Sequence, residues 1–351
     1  MKKTLIALAV LAASGAAFAQ SSVTLSGVYS VSYQKDLTNT AANGNPLTNN
    51  SAVAVQNAAA NAVGKGFAVT DANVKLAAVE DLGGGLKASF DTTFETGAQR
   101  GTMTTRADSG MGLSGAFGSV AVRNTRSSDL IASIGSAAIS LPDGLYDNLG
   151  IVSRGGIDTL SYTSPTVNGF TGSLTAVEGV DGNVDVNLWN AALATPNSKN
   201  PKATVVGLGY AAGPLAVSAA FKSYSVGSTS PAKKNQTEIA VSYDLGVAKL
   251  FAQTNKTKID GAKDIKGGLF GATAPVGAGT VRVAMSSTAQ GDAKSNQFAL
   301  GYVYSLSKRT DLYATYASVK NKGGAAVALN GSVTAANAKS TGYDFGVKHS
   351  F

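Results

Sequence analysis

Short turns alternate with long polar loops along this chain, separating segments of about ten residues up to the last one, the spacing of membrane-spanning strands. The tight connections read Asp81-Leu82-Gly83-Gly84-Gly85, Gly115-Ala116-Phe117-Gly118, Pro165-Thr166-Val167-Asn168-Gly169, Ala212-Gly213-Pro214, Leu245-Gly246-Val247, Pro275-Val276-Gly277-Ala278 and Ser305-Leu306-Ser307-Lys308-Arg309. Between them lie linkers of very unequal length, such as 35–72 and 126–158. Brief turns on one side and variable loops on the other describe an up-and-down antiparallel barrel. In a membrane the brief set faces the periplasm and the long set the exterior. Seven turns and about eight loops make about fifteen connections and so about sixteen strands. A barrel of that size holds a water-filled lumen.

The bulk composition removes the main competitors. Of 351 residues 44% are hydrophobic, yet no stretch after the first twenty is continuously apolar, which excludes a bundle of membrane helices. Forty-one glycines against eight prolines suit many turns, and 14% charged residues is low for a soluble domain. No cysteine is present. The start reads as an export signal: basic Met1-Lys2-Lys3, an apolar run over 4–13 and the small-residue site Ala17-Phe18-Ala19. The expectation is a signal peptide over 1–19 and one barrel domain over 20–351. Losing Lys2 and Lys3 takes the net charge from +8 to +6, since 27 bases then face 21 acids. These bases are dispersed and interleave with no stacking aromatics, so nucleic acid is not a partner.

Strand patterning is plainest at the end. Tyr343, Phe345, Val347, His349 and Phe351 share one face; Asp344, Gly346, Lys348 and Ser350 share the other. Period-two alternation with an aromatic terminus is what a strand between lipid and water needs. The same pattern places strands over 23–34, 73–80, 86–95, 103–114, 119–125, 159–164, 171–178, 203–211, 215–225, 236–243, 248–258, 265–274, 279–287, 295–304, 310–319 and 340–351. Only a closed barrel satisfies every backbone group laterally in lipid, so the first and last strands must pair. The loop over 35–72, rich in Ala, Asn and Thr, reads as a mobile external loop. The one over 126–158 carries the apolar run from Ile131 to Ile139 and is expected to pack inside the lumen.

Chemistry of the catalytic kind finds little to use. His349 is the only histidine and lies on the apolar face of the last strand, so no Ser–His pair or His-based metal site can form, and no enzyme or cofactor is expected. Asp91 and Glu95 share a strand face four residues apart, about 13 Å, too far for a carboxylate dyad. Gly83-Gly84-Gly85 leads into a strand rather than a helix and is a turn, not a phosphate cradle. The candidate working residues are charges facing the lumen. Taking the apolar face of each strand as outward, these are Lys75, Lys87, Arg106, Arg123, Arg282 and Lys348 among bases and Asp91, Glu95 and Asp108 among acids.

The mature start Ser21-Ser22-Val23-Thr24-Leu25-Ser26-Gly27-Val28, the run from Glu80 to Ala88, and Gly112-Leu113-Ser114-Gly115 with Phe117-Gly118 resemble the trimeric general porins of β-proteobacterial outer membranes. So do Ser164-Pro165 with Gly169-Phe170, Leu300-Gly301-Tyr302 with Leu306-Ser307-Lys308-Arg309-Thr310, and the closing Phe351. The resemblance implies a sixteen-stranded barrel, a homotrimer, and a third loop folded inward to narrow the pore. Its acids Asp129, Asp143 and Asp147 would then face Arg123 and Arg106 across the lumen. It also makes Tyr343, Phe345 and Phe351 a signal to the barrel-assembly machinery. The chain departs from the family at its usual pore residues: Asn73 and Ala77, with Lys75 between them, stand for arginines on the second strand, Val120-Ala121-Val122-Arg123-Asn124 for a V-R-L-G-R run on the fifth, Ser161 for an Arg or Tyr on the sixth and Ser30 for an Asp on the first.

The expected activity is passive diffusion of small hydrophilic solutes and ions with a mild anion preference, resting on six inward bases against three acids. Alternatives are a channel selective for an anionic nutrient, a surface adhesin or phage receptor working through the first long loop, and a soluble β-sandwich repeat. Subunits are expected to meet where small outward residues leave a seam, at Gly27, His349 and Phe351, with lipid covering the rest.

Overall fold

Sixteen antiparallel strands follow one another around a ring in this all-β chain. The computed structural model describes residues 21–39, 65–96, 103–126, 156–178, 202–226, 232–327, 329 and 336–351. The strands are β1 (Ser22–Asn39), β2 (Lys65–Gly83), β3 (Leu86–Thr96), β4 (Met103–Gly115), β5 (Gly118–Arg126), β6 (Gly156–Thr163), β7 (Phe170–Glu178) and β8 (Lys202–Ala212). They continue with β9 (Leu215–Val226), β10 (Ala232–Asp244), β11 (Lys249–Ile259), β12 (Ile265–Val276), β13 (Gly279–Gln290), β14 (Ala293–Ser305), β15 (Thr310–Lys322) and β16 (Lys339–Ser350). Each pairs with its neighbours in sequence, and β1 pairs with β16 to close the barrel. Gly27 and Phe351 exchange both backbone hydrogen bonds at 3.0 Å across that closure.

Alternation sorts the side chains onto two faces. Along β14, Phe298, Leu300, Tyr302 and Tyr304 point outward, and Ser295, Gln297, Ala299 and Gly301 inward. Leu300 is 44% exposed and Ala299 1%, the reverse of a soluble fold, because lipid is the outer solvent. The β2–β3 turn shows why the tight connections are glycine-rich. Gly83, Gly84 and Gly85 all have left-handed φ, at 84°, 62° and 81°, a region side chains with a Cβ resist. The Asp81 carboxylate accepts the Gly83 N–H at 2.9 Å to fasten the turn.

Two departures from the sequence reading have physical causes. First, β1 runs to Asn39 and β2 starts at Lys65, so both ends of the expected 35–72 loop are strand. Backbone pairing does not need apolar side chains once a hairpin has left the bilayer, and the Tyr33 and Phe67 rings meet edge-on at 5.5 Å on this extension. Second, the inner wall is not uniformly polar. Phe251, Leu269, Ala284, Ala299, Ala317 and Val319 face inward on β11–β15 and form a buried apolar strip. Leu329, from the connection after β15, completes it and is 2% exposed, with Val327 beside it. Asn321 holds that connection inward: its side-chain amide donates to the carbonyls of Val327 at 2.7 Å and Ala338 at 2.8 Å, and its oxygen accepts the Val327 N–H at 3.1 Å. The loop described as turning inward is therefore the last one. The third loop, with Asp129, Asp143 and Asp147, and the segment 1–19 lie outside the described residues.

Candidate functional site

Register across four strands builds one charged cluster on the inner wall. Ala77 on β2, Asp91 on β3, Gly110 on β4 and Arg123 on β5 stand side by side in one row. Gly110 supplies no side chain, so Arg123 reaches across β4 to Asp91. A Cβ at Gly110 would come within 2.6 Å of the Arg123 Cγ. The Arg123 guanidinium donates to both carboxylate oxygens of Asp91, at 2.7 and 2.8 Å, a bidentate geometry that fixes both groups. Lys75, diagonal to Asp91 on β2, brings its ammonium to 3.2 Å from the same carboxylate. Two cations thus share one anion and leave a net single positive charge. Asp91 stands five residues beyond Leu86. That is about 17 Å of strand and about 13 Å of height at a tilt near 40°, or midway through a ~25 Å apolar band.

A second inner-wall contact ties the closure. The Tyr313 ring on β15 crosses over Gly346 on β16, and a Cβ at Gly346 would collide with it. Its hydroxyl reaches β1 and β2, 3.1 Å from the Ser30 hydroxyl and 3.3 Å from that of Thr70, which itself donates to Ser30 at 3.0 Å. Ser30 thus serves a polar clasp over the β16 seam.

The other expected residues distribute as follows. Lys75, Lys87, Asp91, Glu95, Arg123, Arg282 and Lys348 all fall on the inward face by register. Glu95 sits between Asn73 and Thr104, and Arg282 between Thr273 and Gly301 on the far wall, so neither joins the Asp91 cluster. The β3–β4 register breaks between Thr92 and Phe94, so strand parity does not carry across to Arg106 and Asp108, whose side chains lie outside the described residues. Outward are Tyr343, Phe345, His349 and Phe351, with the His349 Nδ1 2.9 Å from the Thr310 hydroxyl and the Tyr343 and Phe345 rings 5.5 Å apart. Among the described residues no three His, Asp or Glu side chains gather around a common point.

The register also corrects the charge inventory. Asp71, Asp81, Glu238, Asp244, Asp311 and Asp344 join the inward acids, and Lys222 and Lys249 join the bases. The described inner wall is therefore close to balanced rather than six bases to three acids. Placement separates the two signs. Glu238 and Asp344 are 2% and 0% exposed, whereas the Lys75 and Arg123 side chains are 46% and 34% exposed to the lumen. The signal for these extra groups was the same alternation, read further along each strand.

Comparison with known proteins places this architecture. Residues 4–324 match the sequence model of the Gram-negative porin family. The chain is 33% identical to outer membrane porin protein 32 of Delftia acidovorans, over the whole of both chains. Its fold superposes on an anion-selective porin from Comamonas acidovorans with a TM-score of 0.70 at 25% identity, covering 95% of this chain and 100% of that one. The trimer form of OmpT, an outer membrane protein of Vibrio cholerae, shares the fold with a TM-score of 0.63 at 14% identity, over 94% and 99%. A closed sixteen-strand barrel with apolar residues outside, a charged wall inside and these matches along its length make the chain a member of the Gram-negative porin family, an outer-membrane channel and not an enzyme.

Proposed function

We propose that this porin carries small hydrophilic solutes and ions by passive diffusion, with a mild preference for anions set by Lys75, Asp91 and Arg123. The observation that carries the reading is the net positive charge of that cluster, midway up the wall with both cations open to the lumen, while Glu238 and Asp344, two of the other inward acids, are buried. A low-dielectric wall focuses the field of a few charges into the water beside them. The likeness to an anion-selective porin points the same way. The chain is exported with residues 1–19 removed and works as a homotrimer. Support for the seam comes from the outward faces of β1 and β16, where Val23, Leu25 and Tyr29 are 72%, 63% and 51% exposed around Gly27 and Phe351. The test is the zero-current potential across a KCl gradient in planar bilayers. A positive-ion preference in the unmutated protein refutes the cluster's role. A monomeric mass in mild detergent refutes the trimer.

One observation favours a substrate-selective version of the same channel: the basic Lys249 on the inner wall, whose ammonium lies 5.5 Å from the Phe251 ring at the edge of the buried strip. Block of the current by a single metabolite at low concentration distinguishes it from an unselective pore.

A further inference from the structure

Two inward acids of the described wall meet opposite fates. The Asp91 carboxylate is filled by Arg123 and Lys75. Asp344, on β16, is 0% exposed, and neither of its carboxylate oxygens has a hydrogen-bond partner. No base reaches it among the described residues. Lys348 stands four residues along the same face, about 13 Å of strand, with the Tyr313 ring over Gly346 between them. Arg282 shares its row but lies three strands away, beyond Gly301 and Thr315, or about 14 Å. A buried charge in a protein is paired or bound to a metal.

The residues around Asp344 are oxygen donors left in the same condition. Thr315 lies directly opposite on β15 and Gln34 directly opposite on β1, while Ser32, opposite Gly346, is a diagonal neighbour. Side chains so placed have Cβ atoms about 5–8 Å apart. Thr315 is 4% exposed and Ser32 2%, and each hydroxyl, like the carboxylate, is buried without a partner. Both hydroxyls could donate to the carboxylate, and neither does. Four oxygens from three adjacent strands thus share one stretch of inner face without bonding one another. Ser30, two residues further along β1, is by contrast engaged by Tyr313 and Thr70 and marks the edge of the set. Glycines flank Asp344 on the same face of β16: the Tyr313 ring fills the place at Gly346, and Gly342 leaves the loop-side place without a side chain. A proton on Asp344 would serve one of the four oxygens. A metal ion serves all of them, because hard cations take carboxylate, carbonyl and hydroxyl oxygens together.

We propose that Asp344, Thr315 and Ser32 hold a hard metal cation, Ca²⁺ by ligand type, on the inner face of the β15–β16–β1 seam. The Gln34 amide oxygen is placed to join them, and water completes the shell. The ion supplies the charge that Asp344 lacks. It also ties the first strand to the last two at the strand pair that closes the ring. A single carboxylate sets the affinity at the weak end of calcium sites, on the order of 1 mM.

The experiment uses the full-length protein, stripped with EDTA in mild detergent, with Ca²⁺ as probe. Equilibrium dialysis against radiolabelled calcium gives the affinity, and the heat-modification midpoint gives the stability of the closed barrel. The unmutated protein should bind Ca²⁺ with a Kd on the order of 1 mM, and its midpoint should rise with Ca²⁺ at constant ionic strength. Asp344→Asn keeps the shape and removes the charge. It should bind at least about tenfold more weakly, with a midpoint that no longer responds to Ca²⁺. Thr315→Val keeps the charge and the volume and removes one hydroxyl; it should weaken binding about threefold, and it carries the test should Asp344→Asn fail to form a barrel. Unchanged calcium affinity in the folded variants overturns the proposal. So does a midpoint that rises equally in Asp344→Asn, which would assign the ion to acids elsewhere on the barrel. A rise that Na⁺ matches at equal ionic strength also overturns it, since that is screening alone.

Discussion

Replacing Asp91 by asparagine isolates the charge that sets selectivity. Asparagine keeps the shape and one acceptor oxygen but removes the carboxylate that Arg123 holds at 2.7 and 2.8 Å and Lys75 at 3.2 Å. The cluster goes from one net positive charge to two. An anion passing about 5 Å from the added charge gains ~0.8 kcal/mol at the dielectric of water. Screening over a ~8 Å Debye length leaves about half of that. About 0.4 kcal/mol is roughly a twofold gain in anion occupancy, with a matching loss for cations, so the permeability ratio moves about fourfold toward anions. Stability changes by less than about 1 kcal/mol, since the Lys75 and Arg123 side chains are both partly solvated. The assay is the zero-current potential across a KCl gradient, run near 0.1 M and again near 1 M, where a ~3 Å Debye length should remove most of the shift. Arg123→Glu should move the ratio the other way and further, reversing it. An unchanged or cation-shifted ratio for Asp91→Asn at the lower salt would show that the cluster stands off the conducting path.

Three further outcomes follow from the geometry. Gly110→Val places side-chain atoms against the Arg123 stem and the Val122 carbonyl; it should cost about 1–3 kcal/mol and loosen the Asp91 bridge, read as a lower heat-modification midpoint together with a changed permeability ratio. Gly346→Ala strikes the Tyr313 ring and should likewise cost about 1–3 kcal/mol. Adding Tyr313→Ala to it should cost less than the two single changes summed, and strict additivity would refute the contact. At Asp264 the hydrogen bond from Lys256 depresses the folded carboxyl, so its stabilisation is present above the ordinary value of 3.8 and is lost as pH falls through the depressed one. Amide exchange of the 260–264 turn should rise below about pH 4 in the unmutated protein and be flat there in Asp264→Asn.

The sixteen strands were legible because the period of two is imposed by two different solvents, lipid on one face and water on the other. All sixteen expected segments are strands, and the errors sit where that contrast fails. Beyond the bilayer, the 35–39 stretch keeps pairing without an apolar face to announce it, and 65–72 offers only Phe67 and Val69 on one face. Inside the lumen, Phe251 and Leu269 break the polar rule because the last connection folds down and covers them with Leu329. The charge cluster was half legible. Parity placed Lys75, Asp91 and Arg123 on the inner face, but their meeting depends on the β3–β4–β5 register and on the empty position at Gly110, which one strand's pattern cannot express. The oxygens around Asp344 escaped for a related reason: Ser32, Thr315 and Asp344 lie on three strands and become neighbours only through the closure register.

Selectivity therefore follows from where charges stand more than from how many there are. A count of six inward bases against three acids argues for anions, and the fuller, nearly balanced count argues for no preference at all. Neither decides the question, because the groups do not share one environment. Glu238 and Asp344 are shut away at 2% and 0% exposure, out of contact with the pore water. Asp81 faces Lys87 and Asp244 faces Lys249 at the short-turn rim, so these four largely cancel at distances well inside a Debye length. What stands open to a passing ion midway along the wall is Asp91 shared between Arg123 and Lys75, two cations to one anion. A pore that keeps such a residue of charge should discriminate weakly and lose its preference with salt. It should also change sign on a single substitution, since reversing Arg123 takes the cluster from one positive charge to one negative.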